Sequence, residues 1–262
     1  MKAYILPEPL PPPLGLAFEE ILLRKASPSV AVWRHRDSVI VGRSTGLDLE
    51  VDCDTARSLG VPVYRRMSGG GAVYHDPGNI NISMIIPTRG RAGYREVYGV
   101  GLDLVKEILH RLDLYPQVEN RTDVVVMGWK VSGSAAYITR RAALYHATLL
   151  VEADTARLHM LVKPRLDLVE KGIVTPAKYR PRNISSMRPD ISVDGVISII
   201  EEVLLERGYI VTRTPPQELL LAVALLEKYR GQCQGGAQQA PSTHPPVGVY
   251  AHHTPHRATY RI

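Results

Sequence analysis

The amino-acid sequence predicts an α+β domain built on a mixed, largely antiparallel sheet flanked by helices. The first indication is a group of three β-rich runs, DVVVM, KVSGSAAYIT and AALYHATLLVE, which follow one another through short turns. The second is the segment Val97 to Leu114, whose apolar residues recur at the helical period over about five turns. Strands that are grouped in this way favour an α+β fold over a strictly alternating, doubly wound sheet.

The first part of the chain is predicted to contain short helices and strands. A helix is expected from Leu16 to Ala26, because its apolar and charged residues fall on opposite faces. The runs SVAVW and SVIVG are β-rich and are separated by a charged HRD turn, so they are predicted to form a hairpin. Asp52 to Leu59 is predicted to be a short helix that Gly60 ends, and VPVYR the strand after it.

Turn and capping residues predict the elements that follow. The run AVYHDPGNINISMII is expected to form two strands joined by a tight turn at Pro77-Gly78. Asp154 is expected to cap a helix that ends near Leu161. A further helix is predicted after Ser192. Together these elements supply helices to both ends of the strand-rich centre.

The chain is predicted to be one catalytic domain, residues 1–229, with a flexible tail, residues 230–262. The last helix of the domain is predicted after Thr214, which with Gln217 forms the pattern of a capping box. Beyond Tyr229 the sequence is rich in Gly, Gln, Pro and His and loses aliphatic periodicity. The 262 residues are 45% hydrophobic, which is enough for one large core.

Composition narrows the classes of function. A formal charge of +6 favours acidic partners, which include nucleic acid, phosphate-bearing ligands and acidic proteins. Cys53 and Cys233 are far apart and predict neither a disulfide framework nor a metal site, so a cytoplasmic location is expected. The first residues, MKAYILPEPLPPPLG, are interrupted by Glu8 and prolines, unlike a signal peptide, and no run is long enough to span a bilayer.

A glycine-rich segment, RRMSGGGAVYHDPGNINIS, carries the first candidate chemistry. Three consecutive glycines between two strands permit positive φ angles and let backbone N–H groups approach a ligand, as in phosphate-binding loops. Arg65 and Arg66 stand beside these glycines and could contact a phosphate with two parallel bonds. An ordinary glycine-rich turn with a solvated pair of arginines is the alternative, because the pattern matches neither a Walker loop nor a dinucleotide fingerprint.

A second segment, GWKVSGSAAY, places a lysine among small residues. Lys130 opens a strand whose next residues are small, so a ligand can lie against the backbone beside the ammonium group. Such a lysine could hold a phosphate and a carboxylate together. The alternative is an ordinary exposed lysine at a strand end.

The two segments, in this order, resemble the lipoate-protein ligase A family. RRMSGGGAVYHDPGNINIS matches the family pattern almost letter for letter, KVSGSA is intact, and HATLL corresponds to the family's third motif. The resemblance extends from about Leu16 to Leu161 and is far more specific than a lone short motif. It implies the fold shared by biotin ligases and class II tRNA synthetases. It also implies an enzyme that activates lipoate with ATP and Mg²⁺ to lipoyl-AMP and transfers the lipoyl group to a lysine.

The resemblance also implies roles for particular residues. Lys130 is the expected catalytic residue and would bridge the α-phosphate and the lipoyl carbonyl. The expected ATP-binding residues are Arg66, Gly71, Ala72, Val73, Tyr74, Asn79, Asp123 and Lys130. The expected lipoate-binding residues are Lys130, Val73, His75, Ser134 and His146. Asp123 is also the candidate for holding Mg²⁺, while His75 could instead shape the glycine segment and His146 could instead be a core residue.

The sequence departs from the family pattern in three places. The family's Asn-Asp pair is Thr122-Asp123 here, with Asn120 two residues earlier, and a threonine hydroxyl replaces only one end of an amide. Tyr145 and Ala147 replace His and Gly in the third motif. No segment here corresponds to the accessory domain of full-length members, so an accessory subunit is an expected partner. The other expected partners are the lipoyl domains of 2-oxoacid dehydrogenase complexes and the glycine cleavage H protein.

Several rival functions remain open on the sequence alone. A cysteine-dependent octanoyl or lipoyl transferase needs an activated thiolate near Lys130, and neither cysteine suits that role. A biotin ligase is disfavoured because its GRGRxxR-type loop is absent. A nucleic-acid binder is disfavoured because the arginines are scattered and no known module is visible. A non-catalytic protein that only binds lipoyl domains is the last alternative, and no membrane partner is expected.

Overall fold

The computed structural model describes residues 1–88, 90 and 93–233. Its strands are β1 (Lys2–Ile5), β2 (Ser29–Arg34), β3 (Ser38–Val41), β4 (Val63–Arg65), β5 (Val73–His75), β6 (Asn79–Pro87), β7 (Gln117–Glu119), β8 (Asp123–Val126), β9 (Trp129–Ile138), β10 (Ala142–Leu150) and β11 (Ile210–Thr212). Its helices are α1 (Pro12–Lys25), α2 (Leu47–Glu50), α3 (Cys53–Ser58), α4 (Tyr94–Arg111), α5 (Thr155–Leu161), α6 (Leu166–Glu170), α7 (Val193–Glu206) and α8 (Gln217–Ala222). Short 3₁₀ turns cover Pro176–Tyr179, Ile184–Ser186 and Val223–Lys228.

The strands form two sheets. The large sheet has the order β11-β1-β2-β6-β10-β9-β8-β7, and only its pairs β11/β1 and β1/β2 are parallel. The small sheet has the order β4-β3-β5, with β3 parallel to β4 and antiparallel to β5. The predicted α+β class with a mixed, largely antiparallel sheet and flanking helices is therefore confirmed.

Helices cover both faces of the large sheet. Alternate residues of β2 point to opposite sides, so Val30 and Val32 join the core beneath α4 and α7, whereas Ala31 and Trp33 join the core beneath α1. The amphipathic helix predicted at Val97 to Leu114 is α4, and its buried face lies on this first core. The central strands β2, β6 and β10 are thus mostly buried on both faces, whereas the outer strands β7, β9 and β11 are partly exposed.

The predicted hairpin of SVAVW and SVIVG is wrong. β2 belongs to the large sheet and β3 to the small sheet, and β5 and β6 are divided in the same way. All four residues of β3 and all but the last residue of β2 are buried. A buried strand has the same apolar pattern whether or not it pairs with the next strand in the chain. The pattern therefore could not show that β2 and β3 belong to different sheets.

The predicted capping box at Thr214 is also wrong. Helix α8 begins at Gln217, its N-cap is Pro216, and no side chain caps it. A residue that precedes proline is disfavoured in the helical region, so the Pro215-Pro216 pair delays the helix. The predicted cap at Asp154 is confirmed, because its side chain accepts a hydrogen bond from the Arg157 N–H. The helix predicted after Ser192 is α7, and the Ser192 side chain caps it by accepting from the Gly195 N–H.

Cys53 and Cys233 form a disulfide, which the sequence analysis did not predict. Their sequence separation of 180 hides the pairing from any local pattern. Gln232 N–H donates to the Val63 carbonyl, so the chain before Cys233 lies along the outer edge of β4. The first four residues of the predicted tail are therefore attached to the small sheet, and residues 234–262 lie outside the described residues. Because the two cysteines are paired, they do not support the expected cytoplasmic location.

None of the helices in the described ranges is both long and apolar enough to cross a membrane.

Candidate active site

A cavity of about 650 Å³ lies where the small sheet meets the large one. Its walls come from the β4–β5 connection, from strands β8 to β10, and from the segment 162–181. All residues that the sequence assigned to the site line it, namely Arg66, Gly71, Ala72, Val73, Tyr74, His75, Asn79, Asp123, Lys130, Ser134 and His146. The cavity therefore brings together two segments that stand some sixty residues apart in the chain.

The loop between β4 and β5, residues 66–72, is held from behind by Arg66. This side chain is buried and donates to the Ser68 hydroxyl and to the carbonyls of Ile40, Gly69 and Gly71 at 2.6–3.1 Å. Burial lowers the pKa of Arg66 to about 10, which leaves it charged at neutral pH. Arg66 thus fixes the shape of the glycine loop, and its predicted contact with nucleotide phosphates stays a prediction.

Two positions of this region require glycine. Gly70 has a φ of +91°, which L side chains rarely adopt. A β-carbon on Gly42, at the end of β3, would lie 1.9 Å from the Gly70 carbonyl oxygen. The loop and the end of β3 therefore pack backbone against backbone, and the three glycines of the loop line the cavity.

Glu50 is a site residue that the sequence analysis missed. Its carboxylate accepts a hydrogen bond from the backbone N–H of Ala72. A β-carbon on Gly71 would lie 2.9 Å from the same carboxylate oxygen, so the absence of a side chain at Gly71 leaves room for this approach. Glu50 ends α2, far from the glycine motif in sequence, and no local pattern marks it.

Lys130 forms the opposite wall of the cavity with Asp123. The Lys130 Nζ lies 2.7 Å from Asp123 Oδ1, and the Asp123 side chain is only 2% exposed. The backbone of Lys130 bonds to the chain on both sides of Pro181, through Lys130 N to the Arg180 carbonyl and Arg182 N to the Lys130 carbonyl. A β-carbon on Gly133 would stand 3.0 Å from the lysine Cε and Nζ, which explains the glycine in the SGS triplet.

A second lysine, Lys178, faces the same carboxylate and was not predicted. Its Nζ is 3.8 Å from Asp123 Oδ2. Burial lowers the pKa of Lys178, and the neighbouring positive charge of Lys130 lowers it further. Two ammonium groups, those of Lys130 and Lys178, therefore share the buried carboxylate of Asp123. The three groups together carry a net positive charge beside the cavity.

Asn120 replaces the amide that the family pattern places before Asp123. Its Nδ2 donates to Asp123 Oδ2 at 2.9 Å, and its Oδ1 accepts from the Thr175 N–H at 2.7 Å. The carbonyl of Thr122 accepts from both the N–H and the hydroxyl of Ser134. An amide side chain therefore still contacts Asp123, although Thr122 stands at the asparagine position of the family pattern.

Both carboxylate oxygens of Asp123 have protein partners, which bears on its predicted role toward Mg²⁺. One contacts Lys130 and the other accepts from Asn120. Within the described ranges, no group of three or more His, Cys, Asp or Glu side chains is arranged to hold a metal ion. The described residues therefore form no preformed cluster for Mg²⁺, and the predicted role of Asp123 toward this ion stays a prediction.

His146 connects the large sheet to the glycine loop through Glu19, another residue that the sequence analysis missed. His146 Nε2 is 2.7 Å from the Ser68 hydroxyl, and its Nδ1 is 2.9 Å from Glu19 Oε1. Glu19 also accepts from Ser83, which in turn accepts from Trp33 Nε1. Burial alone would raise the pKa of Glu19, but the charge and hydrogen bonds of His146 and Ser83 lower it overall. His146 thus lines the cavity and is also held by hydrogen bonds to Ser68 and Glu19.

His75 pairs with His35 and not with the glycine loop. Their Nδ1 atoms are 2.8 Å apart, and both rings are buried. Burial lowers the pKa of His35 to about 3 and that of His75 well below its usual value, so both rings are neutral at neutral pH. One ring donates and the other accepts, and this bond joins β5 to the end of β2.

The other predicted residues lie deeper in the walls. Asn79 is fully buried and donates to Asn81 Oδ1 at 3.2 Å, while its own Oδ1 has no partner within the described ranges. Tyr74 is 2% exposed and packs in the core of the small sheet, where burial raises its pKa to about 12. Ala72 and Val73 are half-buried and border the cavity with backbone and side chain.

Residues 11–205 match the family described as the lipoyl protein ligase A/B catalytic domain. The chain belongs to this family. A curated relative from Aeropyrum pernix, named as a putative lipoate-protein ligase A, is 48% identical over 66% of this chain and 66% of its own length. The matches to this and two further curated ligases, from Bacillus subtilis and Mycoplasma pneumoniae, span 54–66% of those proteins.

Solved structures of the family have the same fold. A bi-partite lipoate protein ligase from Thermoplasma acidophilum, described together with its E2 lipoyl domain, is 27% identical, with a TM-score of 0.73 over 87% of this chain and 93% of that one. A lipoate-protein ligase A bound with ATP is 26% identical, with a TM-score of 0.74 over 87% of this chain and 95% of that one.

Proposed function

We propose that this chain is the catalytic subunit of an ATP-dependent lipoate-protein ligase. The observation that carries the proposal is a single cavity lined by the glycine loop on one wall and by Lys130 on the other, beside Asp123. An acyl-adenylate needs both: N–H donors for its phosphate and a cation that spans phosphate and carbonyl. Family membership and the ATP-bound relative support the same conclusion.

The first step joins lipoate to the nucleotide. A lipoate carboxylate oxygen attacks the α-phosphorus of ATP, the bond to the β-phosphate oxygen breaks, and pyrophosphate leaves. Lys130 would leave Asp123 and hold an α-phosphate oxygen and the lipoyl carbonyl oxygen together, while the glycine-loop amides hold the remaining phosphate oxygens. Lys178 stays beside Asp123 and offsets its charge, which makes this movement of Lys130 less costly.

The second step transfers the lipoyl group. The ε-amine of an acceptor lysine attacks the carbonyl carbon, the bond to the phosphate oxygen breaks, and AMP leaves. Lys130 stabilises the negative charge that develops on the carbonyl oxygen. The acceptors proposed here are the lipoyl domains of 2-oxoacid dehydrogenase complexes and the glycine cleavage H protein.

Two groups of apolar residues line the cavity. Leu16, Trp33 and Ile40 line one part, beneath α1. Leu158, Leu168 and Val174 line the other, around the segment 162–181. We assign the first part to the lipoyl chain, since it is continuous with the buried core, and the second to the adenine base.

A separate accessory subunit is part of the proposal. The Thermoplasma acidophilum relative is bi-partite, and this chain aligns with 93% of the matched polypeptide. We therefore expect weak adenylation of lipoate by the chain alone and stronger adenylation when an accessory protein is added. Full activity of the purified chain on free lipoate and ATP would contradict this part.

Two alternatives are less well supported. A cysteine-dependent acyl transferase needs a thiolate in the cavity, but both cysteines of the chain are in the disulfide and neither lines the cavity. A non-catalytic protein that only binds lipoyl domains does not require the Lys130 and Asp123 pair inside a cavity lined by a glycine loop. Lipoate-dependent exchange of pyrophosphate into ATP separates an enzyme from such a protein.

The deciding experiment compares this exchange reaction in the wild type and in Lys130→Ala, with and without a candidate accessory protein. We expect at least a hundredfold loss, about 2.7 kcal/mol at 1.36 kcal/mol per decade. Lys171→Ala is the matched control, because Lys171 is exposed, forms an ion pair with Asp167 and is not among the residues that line the cavity. Equal activity of wild type and Lys130→Ala would disprove the proposal.

A further inference from the structure

Glu50 has a fixed backbone and a side chain that is free to turn. Its carbonyl accepts from the Lys163 N–H at 2.9 Å, and the next residue, Val51, forms a bridge with Val162. Its side chain is half-buried, lines the cavity and makes one hydrogen bond within the described ranges, the bond to Ala72 N–H. A rotation of this side chain would therefore break one contact and leave the fold intact.

The contact at Ala72 is of the kind that a phosphate makes. A carboxylate oxygen and a phosphate oxygen are both anionic acceptors, and a single N–H group serves one of them well. The proposed function assigns this same N–H, in the glycine loop, to the phosphates of the nucleotide. The carboxylate of Glu50 and a bound nucleotide cannot both hold it.

The charges around Glu50 favour its displacement over its staying in place. If Glu50 stayed on the Ala72 N–H, its carboxylate would lie directly beside the polyphosphate of the nucleotide, and the two negative charges would repel each other. The positive charges of Arg66, Arg165 and Lys178 all interact with Glu50, so a rotated carboxylate keeps cationic neighbours. Asp123, by contrast, is enclosed by Asn120 and two lysines and has no such freedom.

We propose that Glu50 is an internal anion that occupies the Ala72 N–H in the ligand-free protein and is displaced from it by a phosphate of the incoming nucleotide. While the site is empty, Glu50 keeps the glycine loop in its binding shape. When ATP enters, the loop changes partner without changing shape. The displacement weakens nucleotide binding, and this inference rests on the proposed function because it needs ATP as the ligand.

The test is the affinity of the full chain for ATP, measured by calorimetric titration, in the wild type and in Glu50→Gln. Glutamine keeps the length of the side chain and a carbonyl that accepts from Ala72 N–H, but it removes the charge. We expect Glu50→Gln to bind ATP at least threefold more tightly and pyrophosphate to inhibit it at lower concentration. Asp54→Asn, which changes an exposed carboxylate on α3 outside the cavity, should bind ATP like the wild type.

The outcomes separate this inference from the proposed function. Failure of the wild type to bind ATP would contradict the proposed function itself. Binding by the wild type together with equal or weaker binding by Glu50→Gln would overturn only the displacement of Glu50. A crystal structure of the wild type with ATP provides a second measurement that does not depend on the variant folding. We expect a phosphate oxygen on Ala72 N with Glu50 turned away, and Glu50 still on that N–H would overturn the inference.

Discussion

The two sheets differ in what holds them together. The core of the large sheet beneath α4 and α7 contains 31 buried hydrophobic residues, whereas the core of the small sheet contains eight among those described. The small sheet is instead cross-linked by the disulfide, by Arg66 within the glycine loop and by the His35 and His75 pair. The sheet that presents the loop amides is thus stabilised by a few specific bonds, and single substitutions should affect it more than they affect the large sheet.

Loss of the disulfide should have the largest effect on the small sheet. Cys53→Ser removes a cross-link that closes a very long loop, and such links typically stabilise a fold by about 2–4 kcal/mol. We expect a lower melting temperature than that of the wild type in calorimetry without reductant. In dithiothreitol the two proteins should melt alike. Two free thiols in the unreduced wild type, counted by alkylation and mass spectrometry, would contradict the comparison.

Crowding the backbone contact behind the loop should have the next largest effect. Gly42→Ala places a β-carbon against the Gly70 carbonyl, so the loop or β3 has to shift, at roughly 1–3 kcal/mol. We expect lower stability to urea and at least a tenfold loss of lipoate-dependent exchange. Gly99→Ala, in helix α4 with open space at the β-carbon, is the matched control and should stabilise by about 0.5–1 kcal/mol. Equal loss of activity in both variants would argue against a rigid loop.

Removal of the guanidinium behind the loop should have a smaller effect. Arg66→Lys keeps the charge but cannot reach three carbonyls and a hydroxyl at once, so we expect a loss of about 1–2 kcal/mol. The apparent KM for ATP should rise more than kcat falls, because the loop shape serves binding. The control is Arg57→Lys on the exposed face of α3. A large fall in kcat at unchanged KM would instead indicate direct contact between Arg66 and the reacting phosphate.

Acid should lower the free energy of unfolding through His35 and His75, the pair that joins β5 of the small sheet to the end of β2. Below about pH 6.5 the unfolded chain binds protons at His35 that the folded chain, with a pKa of about 3 at this buried ring, does not bind. The free energy of unfolding should therefore fall as the pH is lowered from about 6.5 toward 3, and His75 acts in the same direction. In urea titrations from pH 7 to pH 4.5, His35→Asn should show a shallower fall than the wild type. Parallel curves would exclude His35 as a cause.

Residues inside compact motifs were predictable from the sequence. Lys130 and the three glycines each stand in a short motif, the two motifs together resemble the family pattern, and the structure places both on one cavity. The helices at Asp154 and Ser192 were predictable because a cap acts on residues three positions away. In each case the physical cause lies within a few residues of its effect.

Residues that act across the fold were not predictable in the same way. Glu19 on α1, Glu50 at the end of α2 and Lys178 in a 3₁₀ turn reach the cavity from three separate parts of the chain. None has a sequence neighbourhood that distinguishes it from a solvated charge on a helix or turn. The sequence showed that Thr122 stands where the family pattern has asparagine. Only the structure showed that the amide of Asn120 contacts Asp123.

By itself, the sequence determined the α+β class, the glycine loop and the lysine, because backbone freedom, side-chain size and capping are local properties. The tertiary structure decided which strands share a sheet, which carboxylates face the lysines and the loop, and that Cys53 meets Cys233. These depend on contacts between residues far apart in the chain. Such contacts form only when burial of the two cores brings those residues together.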